Sequence, residues 1–147
     1  MARYSLGFTS AAAATAAALW SIKTAASERA RIWEIGIFQP GTGTPTVVAG
    51  GLGLAANSGS VAGTAQPGQK DDPADGTATV NCYAAWTTAP TAPTTFYRQF
   101  SIPATLGAGV IWTFPMGLVV PVSTDYTLWN NGGTTALALR CYVTWDE

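Results

Sequence analysis

The chain has 147 residues, enough for a substantial core, and we expect one domain over residues 1–147. Charged residues make up 10% of the chain, against about 25% in an ordinary soluble domain, while hydrophobic residues make up 48%. So few charges indicate a surface that is covered by copies of the chain or by a larger assembly. The net charge is −1 and the basic residues are scattered, so we expect no nucleic-acid partner.

An alanine-rich run, SAAAATAAALW at residues 10–20, follows closely behind the first residue. Its alanines are too weakly apolar for a signal peptide, and no window reaches the roughly 20 apolar residues of a transmembrane helix. We therefore expect no cleavage and no membrane contact. Alanine favours a short helix, but the flanking runs ARYSLGFTS and LWSIKT are typical of strands. We predict an N-terminal arm or two adjoining edge strands within residues 1–25.

Alternation of apolar and polar residues recurs along the chain and is typical of half-buried strands. Over residues 136–145 the odd-numbered side chains, from Leu137 to Trp145, form one apolar face. Over residues 30–38 the alternation separates two faces. The predicted core face carries Arg31, Trp33, Ile35 and Ile37, and the opposite face carries Ile32, Glu34 and Gly36.

Further strand-like runs lie at 46–55, 77–86, 95–101, 109–114 and 125–129. Turn signals rich in Gly, Pro and Asn separate the runs, among them PGTGTP at 40–45 and NNGGT at 130–134. About eight to ten short strands with such turns predict an all-β fold, a jelly-roll-like β-sandwich. Residues 57–76 show no periodicity and are predicted to form a long flexible loop, either simply solvated or reaching a neighbouring subunit. A calcium site from Asp71, Asp72 and Asp75 is a third reading, but these residues lack the spacing and the terminal Glu of an EF-hand.

The chain contains no histidine, which removes the Ser-His-Asp triad, the Cys-His pair and histidine metal sites. A glycosidase with two carboxylates would have to use Glu28, Glu34 or Asp125, whose positions are typical of ordinary solvated carboxylates. The glycines of AGGLGLA at 49–55 precede no helix and lack the Lys-Ser/Thr of a phosphate loop. We expect no enzymatic activity, no catalytic residues, and no bound cofactor or metal.

The cysteines and the tryptophans leave alternatives open. Cys82 and Cys141 either pair as a disulfide between neighbouring strands or remain two buried thiols. Five of the six Trp residues lie within strand-like runs, where they fill the core, stack on sugar rings or anchor protein contacts.

Several distinctive strings cover most of the chain outside residues 40–80. They are MARYSL, KTAASERARIWEIGIFQ, AAWTTAPTAPTTFYRQFSIPATLGAGVIWTFPMGLVVP, YTLWNNGG and YVTWDE. In these strings the chain resembles small virion proteins of tailed phages that infect actinobacteria, proteins regarded as head decoration or cement proteins. The resemblance implies a jelly-roll-like sandwich, made in the host cytoplasm, that assembles as a homotrimer on the capsid exterior. Its partner there is the major capsid protein, whose lattice it stabilises.

A decoration protein needs apolar area and backbone hydrogen-bonding groups directed at its neighbours, and lattice avidity multiplies each contact. As candidate interface residues we select Arg3, Tyr4, Trp20, Lys70, Asp71, Asp72, Tyr97, Arg98 and Trp129. Two alternatives remain open. One is a tail or fibre component of the virion, and the other is a carbohydrate- or receptor-binding sandwich that displays aromatic side chains to a host glycan.

Overall fold

The computed structural model describes residues 1–12, 14–41, 47–132 and 138–147. These residues contain thirteen strands and a short 3-10 turn at Ser58–Ser60. The strands are β1 (Arg3–Thr9), β2 (Ala17–Lys23), β3 (Ala30–Phe38), β4 (Val47–Leu54), β5 (Ala62–Gly63), β6 (Gln66–Pro67), β7 (Gln69–Lys70), β8 (Asn81–Tyr83), β9 (Trp86–Thr88), β10 (Phe96–Pro103), β11 (Gly109–Val120), β12 (Asp125–Asn130) and β13 (Arg140–Asp146).

Two antiparallel sheets pack face to face. The first sheet has the order β11-β3-β13-β1-β7, the second has the order β10-β4-β12-β2-β8-β6, and β5 and β9 form a small separate pair. The eight strands of six or more residues alternate between the two sheets, except that β4 and β10 both belong to the second. This order is that of a jelly roll, in which two Greek keys wrap around one core. The predicted all-β, jelly-roll-like sandwich is confirmed.

The core lies between the two sheets and is made of large apolar side chains from the long strands. Its largest fully buried members include Trp20 of β2, Ile35 of β3, Leu128 of β12 and Trp145 of β13. Burying one such side chain away from water stabilises the folded state by roughly 1.5–3 kcal/mol. The alternation predicted at the C-terminal strand is confirmed for its described residues, because Leu139, Cys141, Val143 and Trp145 are all buried.

The faces of β3 were only partly predicted. Ile35 and Ile37 are buried as expected, but Ile32 is also fully buried, whereas Arg31 and Trp33 are half-buried on the other side of the sheet. The reason is a β-bulge at Trp33. Thr144 of β13 pairs with Glu34 and the next residue of β13 pairs with Ile32, so Trp33 is skipped and the alternation reverses.

The N-terminal residues form strands of the sandwich rather than an extended arm. β1 pairs with β13 along its whole length, and β2 pairs with β12, so the two strands lie in different sheets and do not adjoin. Each is the outermost long strand of its sheet, covered on its far side only in part by short strands. Before β2, residues 15–16 of the alanine run form a turn, where Ala16 takes a left-handed φ of 54°.

Residues 57–76 were predicted as one long loop, but they contain short strands that cover exposed edges. β6 adds to the second sheet beside β8, and β7 adds to the first sheet beside β1. Gly68 alone separates these two strands, so the segment crosses from the rim of one sheet to the rim of the other. Strands of two residues are too short to give a periodicity, which is why the sequence pattern did not show them.

The remaining expectations concern the thiols, helices and turns. Cys82 of β8 and Cys141 of β13 are free and buried in different sheets, and burial raises the pKa of both thiols. No helix in the described ranges is long and apolar enough to cross a membrane. The predicted turn PGTGTP lies largely outside the described residues, and the turn NNGGT lies outside them in part.

Candidate interaction surface

Exposed apolar side chains are concentrated at one side of the sandwich, where β10 ends the second sheet and β11 ends the first. We call residues 96–122, which contain both strands, the β10–β11 edge. Within the described residues, eight large apolar side chains are exposed, and six of them lie on this edge. The six are Tyr97, Leu106, Ile111, Met116, Val119 and Val122. Exposed apolar side chains gathered on one edge are a feature of protein interaction sites.

Within the described residues, both strands of the β10–β11 edge are hydrogen-bonded on one side only, β10 to β4 and β11 to β3. Their inner side chains meet across the sandwich, because the rings of Phe100 and Trp112 lie 5.9 Å apart. The hydroxyl of Tyr126 in β12 also donates a 3.0 Å hydrogen bond to the carbonyl of Val119. The edge is therefore held firmly from inside while its outer rim stays open.

A bulge in β11 carries the most protruding side chain of the edge. Thr113 pairs with Glu34 and Leu118 pairs with Ile32, so residues 114–117 loop away from β3. Gly117 takes a left-handed φ of 69°, a conformation that favours glycine and turns the chain back into the strand. At the outer surface of this bulge Met116 is 85% exposed.

Two arginines flank the bulge. The guanidinium carbon of Arg98 lies 5.5 Å from the centre of the Phe114 ring, a cation-π distance. On the other flank the aliphatic stem of Arg31 packs so closely on Gly117 that a Cβ there would lie 2.2 Å from the Arg31 Cγ. Between Arg98 and the bulge lies an open depression of about 270 Å³, lined also by Tyr97. We call Met116 with these two arginines the Met116 knob.

The opposite side of the sandwich is closed by residues 66–70. Gly68 lies against the indole of Trp145, so closely that a Cβ at Gly68 would lie 2.4 Å from the ring carbon Cη2. Trp145 in turn stacks on Tyr4, with ring centres 5.9 Å apart, and the Tyr4 hydroxyl donates to the carbonyl of Gly76. These contacts bury the aromatic rings that a bare edge would expose.

An acidic turn and a groove follow the covering segment. Asp72 accepts a hydrogen bond from the Ala74 amide, which closes a tight turn, and Asp71 accepts one from the Ser5 hydroxyl. The groove has a volume of about 420 Å³. It is lined by Pro67, Gly68, Gln69, Lys70, Pro73 and Thr77, and we call it the 67–77 groove.

The structure divides the candidate interface residues into four sets. Arg3, Lys70, Asp71 and Asp72 are exposed near the 67–77 groove, where Arg3 also forms an ion pair with Asp146 at 2.8 Å. Tyr97 and Arg98 are exposed on the β10–β11 edge, and Trp129 is half-buried in β12. The other two were wrongly selected, because Tyr4 is nearly buried and Trp20 is fully buried in the core, where neither side chain can contact a partner.

Titratable groups do not gather into a recognisable reaction centre. Among the described residues, no group of three or more Cys, Asp and Glu side chains could hold a metal ion. The Glu34 carboxylate accepts a hydrogen bond from the Tyr142 hydroxyl on the outer face of the first sheet. Asp125, predicted to be solvated, is instead fully buried at the start of β12. Burial raises its pKa from 3.8 to about 7, against the opposing effects of Ser21 and Lys23.

Comparisons with protein-family models, with curated proteins and with solved structures found no match to this chain.

Sequence reasoning missed most of the β10–β11 edge. It selected Tyr97 and Arg98 but not Ile111, Met116 or Leu106, which are among the most exposed apolar side chains. A signal was present, because the string IWTFPMGL contains a Pro and a Gly within an otherwise apolar strand. Such residues indicate a bulge or an edge position, and large apolar residues beside them are candidates for exposure.

Proposed function

We propose that the protein is a structural component of a tailed-phage virion, a decoration (cement) protein that binds the outer surface of the capsid. In this role it stabilises the lattice of the major capsid protein and is itself a homotrimer. It is made in the host cytoplasm and resides on the capsid exterior.

One observation carries the proposal: the β10–β11 edge exposes six large apolar side chains on a chain with only 10% charged residues. An isolated soluble domain avoids an open, apolar strand edge because such an edge pairs with other chains. A subunit of a lattice uses the same edge as a contact, and many weak contacts together hold it in place. In the jelly roll, the two strands of this edge, β10 and β11, are each held in place by pairing with a neighbouring strand.

The aromatic side chains give the glycan-binding alternative little support. All of them belong to the described part of the chain, and only Tyr97 is exposed, whereas Trp20, Trp112 and Trp145 lie in the core. A platform for sugar rings needs exposed aromatic faces. The tail or fibre alternative is separated from the head role by the experiment below.

The experiment uses virus heads prepared without the chain, to which the purified protein is added back. We expect saturable binding to heads in a sedimentation assay, and heads that release their DNA at a higher temperature than undecorated heads. Isolated tails serve as the matched control, and preferential binding to tails would overturn the capsid assignment. Binding to neither particle, together with retention on a glycan array, would favour the receptor-binding sandwich.

Ile111→Asp sharpens the same assay. Ile111 is 52% exposed in β11, so the substitution places a charge on the rim without removing a core contact. If the β10–β11 edge meets the capsid or a neighbouring subunit, we expect head binding to weaken by at least about tenfold, equivalent to 1.4 kcal/mol. Unchanged binding would show that another surface carries the contact.

A further inference from the structure

We propose that two copies of this chain associate head to tail, with the Met116 knob of one copy inserted into the 67–77 groove of the next. The inference rests on the self-association included in the proposed function, but it requires neither capsid nor phage. It names the occupant of both surfaces as a second copy of the chain.

The Met116 knob and the 67–77 groove are complementary in charge. The knob carries the cations Arg31 and Arg98, and the one ion pair among the described residues, Arg3 with Asp146, involves neither of them. The groove is bordered by Lys70 and by the acidic turn that contains Asp71, Asp72 and Asp75, which gives that border a net charge of −2. The two surfaces therefore attract each other, and the same signs hinder knob-to-knob contact.

The Met116 knob and the 67–77 groove are also complementary in shape. Among the described residues after Met1, Met116 is the most exposed large apolar side chain, and it stands on a bulge that projects from an edge strand. The groove has two prolines in its lining, Pro67 and Pro73, which offer apolar, rigid walls. A methionine side chain is flexible and adapts to irregular apolar grooves, so the pair suits a knob and its socket.

The positions of the knob and the groove favour contact between two different molecules. β11 is the first strand of the first sheet and β7 is the last, so knob and groove lie at opposite rims of the same molecule. The Met116 knob of one molecule therefore cannot enter the 67–77 groove of the same molecule. Contact between two different patches is heterologous, and it generates a closed ring when the rotation between copies closes. Such a ring is one route to the trimer, and each copy in it uses both surfaces.

Two single-surface variants test the contact. Met116→Asp disables the knob, and Thr77→Trp fills the groove, since Thr77 is exposed and lines it. For the wild-type protein we expect a multiple of the 15.2 kDa chain mass by light scattering after size-exclusion chromatography. Each variant alone should raise the dissociation constant by at least about 30-fold, the effect of losing a central interface residue, and elute as a monomer.

Mixing the two variants gives the decisive result. The Met116→Asp protein keeps an intact groove and the Thr77→Trp protein keeps an intact knob, so one interface can form between them. We expect a 1:1 pair of about 30 kDa, twice the chain mass of 15.2 kDa, that grows no further. A knob that contacts another knob would not give this pair, because one variant would lack half of the symmetric contact.

Leu54→Asp is the matched control, because Leu54 is 41% exposed in β4 and belongs neither to the β10–β11 edge nor to the 67–77 groove. It should leave the mass unchanged. A monomeric wild-type protein, a mixture that stays monomeric, or a Thr77→Trp variant with the wild-type mass would each overturn the inference. Head binding by a monomeric wild-type protein would leave the decoration role intact, so the two failures are distinguishable.

Discussion

The edge strands are covered at one side of the sandwich and left open at the other. At one side, residues 66–70 cross from sheet to sheet, and Gly68 closes over the paired rings of Trp145 and Tyr4. At the other side, none of the residues that the structure describes covers β10 and β11 in this way, and Met116 and Ile111 are exposed to water. Both sides have the same intrinsic hazard, an unpaired strand rim. The chain covers one rim with its own residues and leaves the other apolar and open, which favours an interaction role for the open rim.

The side chains on the two sides contribute to different properties of the protein, those on the covered side to stability and those on the open side to interaction. Contacts on the covered side lie inside the fold and contribute to the free energy of unfolding of a single chain. Exposed side chains of the β10–β11 edge contribute little to that free energy until a partner covers them. Substitutions on the two sides should therefore affect different measurements.

The largest expected effect is that of Trp145→Ala. Trp145 is fully buried and stacks on Tyr4, so its removal leaves a cavity and should lower the free energy of unfolding by about 3–5 kcal/mol. Urea unfolding followed by circular dichroism measures the change. Met116→Ala on the open side is the matched control and should stay within about 0.5 kcal/mol of the wild type when both are measured as monomers. Equal losses for the two variants would erase the distinction between the sides.

Asp125→Asn tests the buried carboxyl in the second sheet. The native state holds the Asp125 proton up to a pKa of about 7, whereas the unfolded chain releases it near 3.8. The native state therefore binds more protons between these values, and stability falls as pH rises from about 4 to about 7 and is then level. Three pKa units correspond to on the order of 4 kcal/mol, an upper value for the gain that the neutral amide gives at pH 8.

The measurement is urea unfolding of both proteins at intervals from pH 4 to pH 8. The variant should match the wild type at pH 4 and exceed it at pH 8, because only the ionised carboxyl suffers from burial. Two parallel curves would show that Asp125 does not change its protonation on unfolding in this range.

A smaller effect is expected for Gly68→Ala on the covered side. The added Cβ would meet the rigid indole of Trp145 at 2.4 Å, so the covering segment must shift, at a cost of about 1–3 kcal/mol. Gly59→Ala is the control, since nothing lies within 4 Å of a Cβ there, and it should change stability by no more than about 0.5 kcal/mol. Thermal unfolding of the two variants side by side tests whether residues 66–70 are tightly packed, and equal midpoints would show that they are not.

The sequence was sufficient for the fold class because period-two alternation reports burial directly. The buried series from Leu139 to Trp145 follows that rule without interruption. The rule failed at Trp33, where a bulge moved Ile32 to the core and Arg31 to the outer side. A bulge is a property of how neighbouring strands pair, and alternation within one strand does not show it.

The candidate surface was less predictable for a related reason. Tyr4 and Trp20 lie in the outermost long strands of their sheets, yet both side chains belong to the core cluster and are buried. Exposure of Met116 and Ile111 depends on β11 being an edge strand of its sheet, and strand order is a long-range property. Tyr97 and Arg98 were found because an aromatic and an arginine are frequent at interfaces, which is a compositional argument.

The position of β13 has a consequence for how the protein is synthesised. Arg140–Asp146 lies between β1 and β3 and pairs with both, so the strand that follows all the other described strands in the chain occupies the middle of the first sheet. Until β13 has been synthesised, β1 and β3 have no partner between them, and the first sheet cannot close. The pairing of Arg3 with Asp146 joins distant parts of the chain, and such non-local pairing belongs to the slow, millisecond-to-second class of folding. During that interval the nascent chain exposes its apolar strands, which makes it a natural client for chaperones.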